Sequence, residues 1–124
     1  SLAGLSFTVE GRGMVFVLYL AVSENIRSTG IGSEILSYLK NLYGKPLTLN
    51  IEPMDDTADN ADERRRRYSF YERNGFYNTG YLLRDTQMTY TVLSTAKDFL
   101  PDVYYETLLG IHPGGLGMPE ILKK

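Results

Sequence analysis

The longest apolar run in the chain is Val15 to Val22, eight consecutive β-branched, aromatic or aliphatic residues. A continuous run of this kind predicts a strand buried on both faces. After a polar stretch ending in Gly30-Ile31-Gly32, the period changes. Ile35, Leu36, Leu39, Leu42 and Tyr43 fall on one face of a helix predicted over residues 32–43. Gly44 suits its C-terminal end and Pro46 blocks its continuation. Before the run, Leu5, Phe7 and Val9 alternate with polar residues, and Gly11-Arg12-Gly13 predicts a tight turn, so the first two strands form a hairpin. After the helix, Leu47, Leu49 and Ile51 alternate with Thr48, Asn50 and Glu52 as far as Pro53, giving a parallel strand–helix–strand unit.

The acidic stretch from Met54 to Asp62 predicts a loop. A second helix then runs to about Asn74, with Asn60 and Glu63 at capping-box spacing and Gly75 as its stop. Residues 76–84 and 88–94 predict two further strands, and 98–109 a last helix. The four glycines and two prolines between Gly110 and Lys124 predict a flexible tail after a single domain of residues 1–109. The fold class is therefore α/β in the broad sense, a mixed sheet with a central β-α-β unit and flanking antiparallel strands.

Composition narrows the chemistry. With 124 residues, 43% hydrophobic and 23% charged, the chain has the profile of a globular domain. A net charge of −2 offers no basic field for nucleic acid. No run approaches the ~20 apolar residues of a membrane helix, and no secretory signal is visible. The expectation is a cytoplasmic protein without membrane or nucleic-acid partners. The absence of cysteine removes disulfides, thiolate metal ligands and a cysteine nucleophile. The single histidine, His112, sits beside Pro113-Gly114-Gly115 and reads as a surface residue, which leaves little material for a metal centre or a serine–histidine triad. The four arginines Arg64 to Arg67 read as a solvated helix face paired with Asp55, Asp56, Asp59, Asp62 and Glu63, with one or two left for phosphate.

Three roles compete for Gly30-Ile31-Gly32. It can be a plain structural turn. It can be a dinucleotide fingerprint, since Glu52 lies 20 residues after Gly32 where a ribose-binding acid belongs. Ile35 in place of the third glycine, and seven residues between Val22 and Gly30, exclude that reading. The third role is a pyrophosphate loop, Arg27-Ser28-Thr29-Gly30-Ile31-Gly32-Ser33. Its arginine, hydroxyls and backbone amides meet an anion at a helix N-terminus.

The segment from Leu20 to Gly32, LAVSENIRSTGIG, resembles the acetyl-CoA-binding motif of the GNAT superfamily of acyltransferases. Phe70-Tyr71-Glu72-Arg73-Asn74-Gly75-Phe76 resembles that superfamily's tyrosine-to-Gly-Phe signature, and the two occur in the family's order within residues 13–94. The resemblance implies a GNAT-like fold in which two adjacent strands splay around pantetheine. Backbone groups of Leu20, Ala21 and Val22 would bind pantetheine, and residues Arg27 to Ser33 the pyrophosphate. It implies Tyr71 as the acid that protonates the leaving thiolate. Glu52 is the candidate base for an amine that attacks acetyl-CoA directly in a ternary complex, with no metal. The family's usual alanine four residues before the tyrosine is Arg67 here, and its frequent asparagine seven before is Arg64. Family domains usually carry a further strand and helices ahead of this region, so the chain reads as an N-terminally truncated domain whose uncovered face favours a homodimer. The expected function is N-acetyl transfer from acetyl-CoA to an amine of unknown identity. The alternatives are a non-catalytic acyl-CoA-binding module and a structural interaction domain.

Overall fold

The computed structural model describes residues 4–22 and 30–124. Its elements in chain order are β1 (Gly4–Glu10), β2 (Val15–Val22), α1 (Ile31–Tyr43), β3 (Leu47–Ile51), α2 (Ala61–Arg73), β4 (Tyr77–Arg84), β5 (Thr89–Ser94), α3 (Pro101–Leu109) and β6 (Glu120–Lys123). One six-stranded sheet joins the strands in the order β1-β2-β3-β5-β4-β6. β2 and β3 are parallel, as a helical crossover requires, and the other neighbours are antiparallel.

Strand alternation divides the core into two halves. Val15, Val17, Leu47, Leu49 and Ile51 face α1, where they meet Leu36 and Leu39, with Tyr68, Phe70 and Tyr71 of α2 packed alongside. Phe16 points the other way and joins Leu83, Val92, Tyr104 and Leu108 beneath α3. Helices thus cover both faces of the sheet. Val15, Leu36 and Leu47 are completely buried, each contributing about 1.5–3 kcal/mol of transfer free energy.

Three sequence expectations need correction. Burial on both faces of β2 holds for Val15 to Val17, but Leu18 is 47% exposed, because the sheet opens at that point. The capping box does not form: Asn60 makes no side-chain cap, and its Oδ1 instead accepts from Arg64 Nε at 2.9 Å. The stretch from Gly110 to Lys124 is not a loose tail. A turn at Pro113–Gly115 brings it back, and Glu120–Lys123 pairs with β4 as an edge strand (Leu82↔Leu122, Leu83↔Ile121). Four residues are too few for a periodicity signal, and the glycines and prolines before them mark the turn rather than disorder.

Candidate active site

The site begins with a defect in the β1–β2 hairpin. Thr8 lies opposite Val17 and Phe7 opposite Tyr19, so Leu18 has no partner across the ladder. An extra residue of this kind is a β-bulge, which bends its strand and shifts the phase of every side chain after it. Val17 and Leu20 accordingly both pack towards α1, although an unbroken strand would point them to opposite faces. The parallel ladder between β2 and β3 ends just before the bulge, with Val15↔Leu47 and Phe16↔Thr48 its only pairs among the described residues. Beyond Phe16, β2 follows β1 (Ser6↔Leu20, Leu5↔Ala21, Gly4↔Val22) and parts from β3. The result is an opening between two parallel strands at their carboxyl ends. The backbone of Leu20, Ala21 and Val22 lies on one side of it and that of Leu49 to Ile51 on the other. Nothing in the uniformly apolar run foretells the bulge; no glycine, proline or polar residue marks it.

α1 begins at this same end of the sheet. Gly30, its N-cap, has φ 85° and ψ 8°, a left-handed conformation that costs other residues about 1–2 kcal/mol. Its carbonyl accepts from Glu34 N at 3.0 Å, which leaves the amides of Ile31, Gly32 and Ser33 without an intrahelical partner. Among the described residues no side chain caps this end. Gly32 is buried and Ser33 half-buried. The free amides and the positive end of the helix dipole suit an anion. Arg27, Ser28 and Thr29, the rest of the expected pyrophosphate loop, lie outside the described residues, as do the side chains of Ala21 and Val22.

Tyr71 is set in the last turns of α2. Its ring meets Phe70 at 5.1 Å and Phe76 at 5.4 Å between centroids, both nearly edge-on. The Gly-Phe pair after α2 therefore supplies Phe76, buried between the sheet and Tyr71, as the tyrosine's packing partner. The hydroxyl has no hydrogen-bond partner among the described residues, and no described buried side-chain oxygen lacks one, so the phenol oxygen reaches solvent. Burial of the ring pushes the phenol's pKa above its ordinary value, with Arg67 opposing slightly. A packed ring with an open, protonated hydroxyl is a suitable proton donor.

Glu52 follows β3 and is enclosed by cations. Arg64 Nη2 lies 2.9 Å from one carboxylate oxygen and Arg67 Nη1 2.7 Å from the other. Arg64 also donates to Pro53 O at 3.0 Å. The two guanidiniums thus occupy the carboxylate of the candidate base. Of the remaining arginines in the run, Arg65 pairs with Asp56 and Asp62, while Arg66 is exposed with no partner among the described residues. Arg67 adds Glu63 at 2.7 Å. The run is thus largely the solvated, acid-paired face its neighbours predict. Among the described residues no group of three or more His, Asp or Glu side chains is placed to hold a metal ion, and no helix is long and apolar enough to cross a membrane.

Comparison with known proteins places this geometry. No protein-family profile matches the chain. A 67-residue region, 54% of the chain, is 37% identical to YjbC of Bacillus subtilis (strain 168), a protein provisionally named an acetyltransferase; the match spans 33% of that protein's length. A GNAT-family structure from Bacteroides thetaiotaomicron, also provisionally named an acetyltransferase, superposes over 94% of this chain and 67% of its own, with TM-score 0.64 and 18% identity. Naa50 of Arabidopsis thaliana, solved with the bisubstrate analogue CoA-Ac-MVNAL, superposes over 76% of this chain and 65% of its own, with TM-score 0.56 and 18% identity. The chain has the GNAT acyltransferase fold, and its likeness to the acetyltransferases of that superfamily extends from two short motifs to the layout of the whole sheet.

Proposed function

We propose that this chain forms the acyl-CoA-binding part of an N-acetyltransferase, moving an acetyl group from acetyl-CoA to a primary amine. The observation that carries this reading is the parting of β2 from β3 at the Leu18 bulge. It leaves main-chain groups beside an opening at the end of the sheet where α1 begins. An extended amide-rich arm such as pantetheine pairs with main chain as a strand would, and a pyrophosphate suits the amides of Ile31 to Ser33. The CoA-based analogue bound to Naa50 supports the same cofactor.

In this reading the neutral amine attacks the thioester carbonyl directly. A backbone amide near Leu20 to Val22 stabilises the tetrahedral oxyanion. As the carbon–sulfur bond breaks, the Tyr71 hydroxyl gives its proton to the thiolate. The proton lost by the amine passes through water to Glu52, in competition with Arg64 and Arg67. Arg27, Ser28, Thr29 and Gly30 complete the pyrophosphate cradle, and Arg66 is free for the 3′-phosphate. The occupied Glu52 carboxylate also favours a second reading, a module that binds acyl-CoA without turning it over.

Calorimetric titration with CoA, followed by thiol release from acetyl-CoA over an amine panel, tests both. Binding with turnover supports the transferase. Binding without turnover supports the module, and no binding removes both.

A further inference from the structure

Asn50 stands where β2 would have continued alongside β3. Phe16↔Thr48 is the last pair of the parallel ladder; two residues further along each strand are Leu18, in the bulge, and Asn50. On its other side Asn50 pairs with Val92 of β5. Its carboxamide lies on the α3 face, where the Tyr104 hydroxyl donates to Oδ1 at 2.6 Å. Tyr104 is completely buried, its ring wedged against Phe16 at 5.8 Å and Phe99 at 5.6 Å. A side chain so enclosed cannot swing, so the carboxamide it holds has one orientation. Burial also raises the phenol's pKa far above its ordinary value, which keeps the hydroxyl protonated at any physiological pH. The amide's other half, two N–H donors on Nδ2, has no partner among the described residues and is not sealed from solvent. It therefore presents a neutral donor on the α3 face of β3, two residues past Thr48, the last β3 residue paired with β2.

We propose that Asn50 Nδ2 orients the acceptor by donating to a carbonyl or hydroxyl oxygen carried next to the reacting amine. The proposal rests on the transferase reading given above and adds the acceptor's chemistry: amines with a neighbouring neutral oxygen, as in an amino-acid amide, in preference to bare alkyl amines. A neutral donor gives such an oxygen a hydrogen bond and gives an alkyl ammonium nothing, while an acceptor lacking the oxygen leaves the donor unpaired on desolvation.

The test is nitrogen-15 spectroscopy of the CoA-saturated protein, following the Asn50 side-chain amide while glycinamide or propylamine is added. The expected result is movement of both Asn50 Nδ2 protons with glycinamide and not with propylamine. Asn50→Asp, which keeps the shape and the Tyr104 bond but removes the donors, should weaken glycinamide binding about tenfold, read at the Leu18 backbone amide. Tyr104→Phe should lose the discrimination between the two amines; if that variant does not fold, Asn50→Asp decides alone. No movement with glycinamide, equal movement with both amines, or unchanged affinity in Asn50→Asp overturns the proposal. The Ile31 to Ser33 amides report the cofactor separately. If CoA leaves them unmoved while glycinamide moves Asn50, the small-molecule site stands and the transferase reading falls.

Discussion

The Arg64 guanidinium reaches across 2.9 Å to the Glu52 carboxylate, joining the first turn of α2 to the end of β3. Arg64 is only 14% exposed along its side chain and Glu52 28%, so the pair is better shielded from water and salt than the other ion pairs of the run. It fixes the angle at which α2 leaves the sheet, and α2 carries Tyr71. Glu52→Gln removes the charge from this cluster and leaves two guanidiniums facing a neutral amide. The expected loss is about 1–2 kcal/mol of stability, measured by urea unfolding. If Glu52 also takes the amine's proton, the folded variant loses turnover with its acetyl-CoA binding unchanged; if it only positions α2, turnover falls no further than stability does.

Tyr71→Phe keeps the ring that Phe70 and Phe76 enclose and removes only an oxygen without a described partner. Stability should change by less than about 0.5 kcal/mol, while turnover falls by about 10²-fold if the phenol is the general acid. Because burial raises this phenol's pKa, the wild-type donor stays protonated at higher pH than a free tyrosine, and an alkaline fall in rate should come correspondingly later. Stopped assays of thiol release at several pH values provide the check.

Gly30→Ala tests the anion site without filling it. A Cβ there would meet nothing within 4 Å among the described residues, yet the backbone sits at φ 85°. The substitution should cost about 1 kcal/mol through strain alone and weaken CoA binding by shifting the amides of Ile31 to Ser33. Titration calorimetry reads the second effect and thermal melting the first.

At Gly11 the constraint is space. A Cβ would collide with Thr107 Oγ1, in a buried side chain whose hydroxyl already donates to Val103 O at 2.9 Å. Gly11→Ala therefore pushes the β1–β2 turn off α3, with an expected cost of about 1–3 kcal/mol. Pairing it with Thr107→Ala should recover part of that loss, because the clashing hydroxyl is gone; melting of the single and double variants gives the comparison.

Removing residues 119–124 strips β6 from β4 and uncovers the ladder edge at Tyr81 to Arg84. It also breaks the Arg84–Glu120 ion pair. The shortened chain should be less stable and prone to edge-to-edge association, visible as a rise in light scattering with concentration.

Much of this was legible in the sequence. Elements with a sustained period were readable to within a few residues: the β1–β2 hairpin, α1 ending at Gly44, and the parallel β3. The likeness of Leu20–Gly32 and Phe70–Phe76 to known acyltransferases then pointed to the fold. Features that depend on the third dimension were not readable. The Leu18 bulge hides inside a run with no breaker. Asn60 looked like a cap, but a cap is one possible partner among several, and here Arg64 takes it. β6 acquires its meaning only from β4, at the far side of a turn. Asn50 reads as any outward polar residue of an alternating strand, because the Tyr104 that holds it lies 54 positions later.

The order of strands carries a kinetic consequence. The hairpins β1–β2 and β4–β5 pair neighbours in the chain, whereas β3 gains one flank only across α1 and the other across α2 and β4. The buried Thr48–Ser94 hydroxyl pair on that second flank spans 46 positions. Closing such loops exacts its entropy before any contact returns it. The two hairpins can therefore form early and independently, and the strand that completes the sheet, which is also one wall of the opening, docks last.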